Sequence, residues 1–211
     1  MTYPVYLFDF DYTLANSEKG ILTCFHLTMK EHHYPPVDDD TIRHTIGMPM
    51  EDAISLIIGE TDPARIRWFQ NEYRKFSDTL MTPNTFFYPE TIPTLTRLRE
   101  QDAHIGIIST KTRGRIAEKF EQEHLLHLLD FIIGREDVKH PKPDPEPILL
   151  AIGRLGVQKN DVLYIGDSLF DAKAAQNAGV DFAAVTTGTT KDKDFEPLPH
   201  KKIMKSLAEL F

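Results

Sequence analysis

The chain has 211 residues, more than the roughly 100–150 of a typical domain, so we expect one core with a sizeable insertion. Its 41% hydrophobic and 27% charged residues are typical of a globular protein and argue against disorder. The net charge of −8 argues against binding to nucleic acid or to an anionic membrane. A single cysteine excludes an intrachain disulfide, and no apolar stretch has the length of a bilayer span. We therefore expect a cytoplasmic protein.

Five short apolar segments predict the strands of a parallel sheet. They are Val5–Phe8, His104–Ile108, Phe131–Ile133, Val162–Ile165 and Phe182–Val185. Helical patterns separate the last four segments, an alternation that is typical of a parallel sheet covered by helices. The sequence therefore predicts an α/β fold.

The first two predicted strands are too far apart for one crossover. A strand–helix–strand unit needs about 30 residues, and about three times that number lie between Phe8 and His104. Helix start and stop signals recur in this interval, namely Ser17, Gly47, Gly59 and Asp62-Pro63. We therefore predict a small all-helical domain over residues 16–82, inserted into a core of residues 1–15 and 83–211.

Two carboxylates follow the first predicted strand directly. Because side chains alternate along a strand, Asp9 and Asp11 are expected on the same side. They lie at the carboxyl end of the strand, where open α/β sheets bind ligands. Negative charges placed so closely need a cation or a proton. An acidic turn after an edge strand is the alternative interpretation of this segment taken alone.

A second acidic group, Asp167 and Asp171, follows the predicted strand that ends at Ile165. The two carboxylates are four residues apart, so both would project from one face of a helix beginning there. Asp9, Asp11 and Asp167 together offer the oxygen ligands that Mg²⁺ prefers, which predicts metal-assisted phosphoryl chemistry. Simple helix capping by Asp167 or Ser168 is the alternative.

Two further segments carry groups suited to a phosphoryl oxygen. Ser109, Thr110 and Lys111 end a predicted strand and open a helix, where hydroxyls, a cation and backbone N–H groups converge. Lys142 lies between two prolines, which restrict its backbone and hold its ammonium in place. Helix capping and a plain proline-rich loop are the respective alternatives.

Taken in order, these segments resemble the four motifs of the haloacid dehalogenase-like hydrolase superfamily. The motifs are Asp9-x-Asp11-x-Thr13, Ser109, Lys142 and Gly166-Asp167-x-x-x-Asp171. The resemblance covers nearly the whole chain and is closest to the phosphoglycolate phosphatase-like and beta-phosphoglucomutase-like branch. It implies a Rossmann-like core with a parallel sheet in the strand order 5-4-1-2-3 and a helical cap domain.

The resemblance also implies a role for each motif residue. Asp9 would be the nucleophile that becomes an aspartyl-phosphate, and Asp11 would protonate the leaving oxygen and later deprotonate water. Ser109 and Lys142 would bind the phosphoryl oxygens, with Thr110 and Lys111 beside them. Mg²⁺ is expected at Asp9, the Asp11 backbone carbonyl and Asp167, supported by Asp171.

Three residues depart from the family pattern or lie outside the motifs. Tyr12 stands where this branch usually has glycine and Asn16 where it has aspartate, so Tyr12 is expected to alter the hinge or narrow the pocket. Arg43, in the predicted cap, is a candidate for binding a substrate carboxylate, with an ordinary surface arginine as the alternative. Asp11 argues against halide displacement, because the dehalogenases lack an acid there.

The leading hypothesis is a magnesium-dependent phosphatase of a small phosphorylated metabolite. A sugar phosphomutase is the nearest alternative. A phospho-accepting regulatory module is the third, and Asp11 and the long cap argue against it, because an adjacent base hydrolyses the phosphorylated intermediate. The substrate is open, and monomer and homodimer are both compatible with the sequence.

Overall fold

The computed structural model describes residues 2–211, which divide into two compact units. The larger holds residues 2–15 and Phe87–Phe211, and the smaller holds Asn16–Phe86. The strands are β1 (Val5–Phe8), β2 (Ala15–Asn16), β3 (Phe86–Phe87), β4 (His104–Ile108), β5 (Phe131–Ile133), β6 (Val162–Gly166), β7 (Asp181–Val185) and β8 (Lys202–Met204). The helices are α1 (Glu18–Glu31), α2 (Asp39–Arg43), α3 (Met50–Ile58), α4 (Pro63–Leu80), α5 (Thr91–Glu100), α6 (Arg113–Gln122), α7 (Glu146–Leu155), α8 (Leu169–Ala178) and α9 (Asp192–Phe195). Within residues 2–211, no helix combines the length and hydropathy of a membrane span.

The larger unit is built on a parallel sheet of six strands in the order β5-β4-β1-β6-β7-β8. Read from the other edge, the five predicted strands follow the order 5-4-1-2-3, and the predicted α/β fold class is confirmed. The sheet differs from the expected order by one added edge strand, β8. Its three residues are too few to show a period along the sequence. It forms by pairing with β7, where Ala184 lies opposite Ile203.

Side chains of β1 alternate between two buried cores, one on each face of the sheet. Tyr6 and Phe8 enter a core completed by residues of α5 and α6. Val5 and Leu7 enter the other, completed by α7, α8 and α9. Burial on both faces explains why β1 is apolar throughout, as is usual for a central parallel strand.

The smaller unit is a bundle of α1 to α4 with its own apolar core. The Phe25 ring lies 4.8 Å from the Tyr73 ring and 6.2 Å from the Phe69 ring, measured between centroids. Gly59, with φ of 67°, ends α3 in the left-handed conformation that glycine adopts at little cost. Asp62 then caps α4 by accepting a backbone N–H. The helix signals at Gly59 and Asp62-Pro63 are therefore correct, whereas the one at Gly47 is not, because α2 already ends at Arg43.

Candidate active site

Three neighbouring strands bring predicted site residues to one edge of the sheet. β1 lies between β4 and β6 and runs parallel to both, so the three carboxyl ends lie side by side. The segments that follow these strands contain Asp9 and Asp11, Ser109, and Asp167. Lys142 reaches the same place from the loop before α7, with its Nζ 2.9 Å from Asp9 Oδ1. Four separate stretches of the chain therefore meet at this edge.

Lys142 is a buried cation between two carboxylates. Its Nζ lies 2.6 Å from Asp171 Oδ1 and 2.9 Å from Asp9 Oδ1, and its side chain is 1% exposed. Burial lowers the pKa of the ammonium, but the charges of Asp171 and Asp9 outweigh burial and raise the pKa above its ordinary value. The side chain is therefore charged, and its single positive charge faces two carboxylates.

The loop that carries Lys142 is held by side chains on both sides. Glu146 accepts the backbone N–H of His140 at 2.9 Å, and Asn177 donates to the Pro143 carbonyl at 2.9 Å. These bonds restrict a segment in which proline already limits the backbone. The loop therefore fixes the position of the Lys142 ammonium and does more than connect two elements.

Asp9, Asp167 and Asp171 form a buried cluster in which one carboxylate oxygen from each lies within 4.8 Å of the others. Burial raises the pKa of Asp9 to about 6, although Lys142 opposes this shift. Burial and the charges of Asp171 and Asp9 raise the pKa of Asp167 well above its usual value. Within residues 2–211, Asp9 Oδ1 has no hydrogen-bond donor, because Lys142 is close but outside hydrogen-bond geometry. A buried oxygen of this kind, among clustered carboxylates, fits a divalent cation with oxygen ligands.

Asp171 has both oxygens occupied by donors, which distinguishes it from Asp9. Tyr164 Oη donates to Asp171 Oδ1 at 2.8 Å, beside Lys142, and Ser168 donates to Oδ2 from its backbone N–H and its hydroxyl at 3.0 and 2.5 Å. Ser168 also caps α8, so part of the capping interpretation is correct. A Cβ on Gly166 would collide with the Asp171 carboxyl, so this glycine permits the close approach. Asp171 is held rigidly and supports the cluster.

Asp11 is paired with a cation of its own instead of joining the acidic cluster. Lys111 Nζ lies 2.9 and 3.0 Å from the two Asp11 carboxylate oxygens. The backbone N–H of Lys111 donates to Ser109 Oγ at 3.3 Å, which ties the two residues together. Thr13 Oγ1 donates to Asp167 Oδ1 at 3.2 Å. The segment after β1 therefore contacts residues after both neighbouring strands.

The remaining two predicted substrate-binding residues lie in different units. Thr110 is half-buried and follows Ser109 at the edge of the sheet. Arg43 belongs to the smaller unit, where its guanidinium lies 2.8 Å from a Glu18 oxygen and 2.6 Å from an Asp40 oxygen. Neighbouring carboxylates thus already engage the group that was expected to bind a substrate carboxylate.

Comparison with known proteins identifies the family to which the chain belongs. A family model for haloacid dehalogenase-like hydrolases matches residues 6–185, most of the chain. The chain belongs to the haloacid dehalogenase-like hydrolase family. The family match runs from Tyr6 within β1 to Val185 at the end of β7, so it includes every motif that carries the predicted site.

The relatives of this chain are described as phosphatases, pyrophosphatases or hydrolases. Pyrophosphatase PpaX of Bacillus velezensis is 31% identical over 85% of this chain and 81% of its own length. Probable phosphatase IndB of Dickeya dadantii is 28% identical over 98% of this chain and 91% of its own. A Bacteroides fragilis structure described as a haloacid dehalogenase-like hydrolase is 47% identical, covers all of both chains and has a TM-score of 0.97. The chain is therefore a hydrolase, and its relatives support one that acts on phosphate esters.

The two departures from the family pattern have local explanations in this hydrolase. Tyr12 has φ of 60°, a conformation that favours the glycine usual at this position and costs other residues about 1 kcal/mol. The Thr187 hydroxyl donates to the Tyr12 carbonyl. Asn16 Oδ1 accepts the Glu18 N–H at 3.0 Å at the start of α1. Both residues therefore shape the backbone that leaves the β1 segment.

Sequence analysis misses Gly188, which lies against the acidic cluster. A Cβ on Gly188 would overlap Asp167 Oδ2 and would approach Tyr12 Cβ to 3.2 Å. The available signal is the run Thr-Thr-Gly-Thr-Thr directly after a predicted strand, the same position as the other motifs. Gly188 therefore leaves room for the Asp167 carboxylate.

The variant G188A is expected to raise the divalent-cation concentration needed for half-maximal activity by about 10- to 100-fold. The reason is that the added methyl group displaces a carboxylate suited to hold the cation. The measurement is the rate as a function of cation concentration. G153A is the matched control, since Gly153 lies in α7, away from the site residues, and a Cβ there meets nothing within 4 Å. An unchanged cation dependence in G188A would show that the position of Asp167 is not critical.

Proposed function

We propose that this hydrolase is a magnesium-dependent phosphatase that hydrolyses a small phosphorylated metabolite through an aspartyl-phosphate on Asp9. The observation that carries the proposal is the environment of Asp9. Its carboxylate is buried, has one oxygen without a hydrogen-bond donor, and lies 2.9 Å from the Lys142 ammonium. Such a carboxylate is fixed in place and is not stabilised by water, which suits a nucleophile.

Asp9 would attack the phosphorus atom in the first step. A bond forms between Asp9 and phosphorus while the bond from phosphorus to the leaving oxygen breaks. Asp11 would give its proton to that oxygen. In the second step water attacks the phosphorus, Asp11 takes the water proton, and the bond to Asp9 breaks to release inorganic phosphate. The two acids need to be neighbours, as Asp9 and Asp11 are.

Charge on the transferred group would be balanced by residues already at the site. Lys142 faces Asp9 and would contact the phosphoryl oxygens as they approach. Ser109 Oγ and the N-terminal end of α6, which follows it, would donate to the same oxygens. These donors are held by the fold before substrate arrives, so little reorganisation is needed during the reaction.

The acidic cluster would hold Mg²⁺ through Asp9 and Asp167, with the Asp11 backbone carbonyl as a third protein ligand and Asp171 in support. Carboxylate and carbonyl oxygens are the donors that Mg²⁺ prefers. When bound, this ion supplies positive charge that stabilises the transferred phosphoryl oxygens. Thr13 orients Asp167 through its hydroxyl, and Tyr164 orients Asp171.

The predicted core (residues 1–15 and 83–211) and helical cap (residues 16–82) stay a proposal, and the smaller unit of the structure ends at Phe86 instead of residue 82. Arg43 of the predicted cap stays a predicted substrate-binding residue. A panel of phosphorylated metabolites, assayed for released phosphate with Mg²⁺, tests the function. Isomerised sugar phosphate without net phosphate release would instead favour the phosphomutase.

The variant D11N is expected to lower turnover by about 10²- to 10⁴-fold, because it removes the proton donor and acceptor of both steps. With p-nitrophenyl phosphate, whose leaving group needs no proton, phosphorylated Asp9 should accumulate. Rapid-quench kinetics should show a burst of nitrophenolate, and mass spectrometry should show one added PO₃ unit. D102N, which changes an exposed aspartate of the same unit, is the control. An unchanged steady-state rate would contradict the role given to Asp11.

A further inference from the structure

Lys111 is a second, largely buried ammonium at the edge of the sheet. Its side chain is 10% exposed, and its Nζ lies 2.9 and 3.0 Å from the two Asp11 oxygens and 5.9 Å from the centre of the Phe10 ring. Its backbone is fixed on both sides. The N–H donates to Ser109 Oγ, and the carbonyl accepts the Arg135 N–H at 3.1 Å. The position of this ammonium is therefore set by the fold.

In the proposed reaction the two ammonium groups of the site lie on opposite sides of the phosphorus atom, one beside the nucleophile and one beside the acid that protonates the leaving oxygen. Lys142 Nζ contacts Asp9, on the nucleophile side. Lys111 Nζ contacts Asp11, which in the proposed reaction gives its proton to the leaving oxygen. A leaving oxygen in hydrogen-bond contact with Asp11 lies within about 6 Å of Lys111 Nζ, since each of the two contacts spans about 3 Å. Lys111 Nζ is thus close enough to the leaving oxygen to contact a charged group next to it.

Lys111 also keeps donor capacity for a ligand. An ammonium has three N–H donors. Within residues 2–211, the structure records acceptors only on Asp11, whose two oxygens account for two of them. The third N–H belongs to a charged ammonium that has little water around it. Under these conditions an anionic acceptor is bound more strongly than a neutral one.

We propose that Lys111 is a specificity-determining residue that selects substrates whose leaving group carries its own negative charge. The substrate class is a phosphate ester or anhydride with a carboxylate or a second phosphate on the leaving side. This inference rests on the proposed phosphatase function and adds the substrate class to it. It also changes the sequence-based assignment of Lys111, from the phosphoryl oxygens to the leaving group.

Two substrates that differ in one charge test the inference. 2-Phosphoglycolate and ethyl phosphate both release an alkoxide that needs a proton, but only the first carries a carboxylate. We expect the wild-type protein to have the higher kcat/KM for 2-phosphoglycolate. In K111M this preference should fall about 10- to 100-fold, the value of one charge-assisted hydrogen bond. Pyrophosphate, with a second phosphate on the leaving side, should lose activity in parallel with 2-phosphoglycolate.

Matched variants separate charge recognition from other effects. K111R keeps a cation and should retain most of the preference, and K111Q replaces K111M if the latter is unstable. K193M removes an exposed lysine of the same unit and should leave both substrates unchanged. Equal losses on 2-phosphoglycolate and ethyl phosphate would overturn the inference and make Lys111 a positioning residue for Asp11. So would a wild-type protein without the preference.

The same assays separate this inference from the function on which it depends. If the wild-type protein releases no phosphate from these substrates or from an aryl phosphate, the proposed function fails and the inference fails with it. If phosphate is released but the preference is the same in wild type and K111M, only the assignment of Lys111 fails.

Discussion

The variant D9N is expected to lower phosphate release by at least about 10⁴-fold, because removal of a covalent nucleophile eliminates the reaction path and not only one contact. Asparagine has nearly the shape of aspartate but cannot form the acyl-phosphate. The measurement is steady-state release of phosphate from an aryl phosphate with Mg²⁺, together with mass spectrometry for the phosphorylated chain. Neither product nor a phosphorylated chain should be detected above background.

Loss of activity in D9N is not expected to come from unfolding. Burial raises the pKa of Asp9 to about 6, so its charged form costs folding free energy at neutral pH when no metal is bound. A neutral amide avoids this cost, and Lys142 keeps its contact with Asp171 at 2.6 Å. The Tm of metal-free D9N should therefore be no lower than that of wild type. A folded D9N protein with wild-type turnover would remove Asp9 as the nucleophile.

Removal of divalent cations is expected to lower the rate by about 10³-fold or more, and added Mg²⁺ should restore it. The reason is the buried acidic cluster, in which one oxygen from each of three carboxylates lies within 4.8 Å and Lys142 is the cation that the fold supplies to two of them. The measurement is phosphate release after treatment with a chelator and again after Mg²⁺ is supplied in excess. Full activity in excess chelator would reject the metal assignment.

Stability gives an independent test of the metal site. A cation that binds only the folded chain stabilises it by about 3 kcal/mol when present at roughly 100 times its Kd. Mg²⁺ should therefore raise the Tm of wild type. The shift should be lost or much smaller in D167N, which removes a charged ligand, and should persist in D102N, an exposed change of the same charge. Equal shifts in the two variants would place the cation elsewhere.

Most of the sheet was predictable because its strands are strongly apolar and separated by clear helix signals. β1, β4 and β5 have the predicted bounds, and β6 and β7 differ from the predicted segments by one residue each. β8 was not predictable in this way, because its three residues form a strand only through pairing with β7. Local pattern suffices where a segment is long and buried on both faces.

In the candidate site, too, local sequence predicts some features and contacts between distant segments decide the others. The sequence alone identified the candidate residues, since Asp9, Asp11 and Lys142 are recognisable from residue type, spacing and their place after strands or between prolines. Their roles stay predictions. Only the tertiary structure decided the partners, pairing Lys142 with Asp171 as well as Asp9, giving Asp11 to Lys111, and placing Gly188 against Asp167. The reason is the distance along the chain between the residues in contact. Residue type and local spacing act within a few positions of the chain, whereas these contacts join residues brought together by the strand order of the sheet.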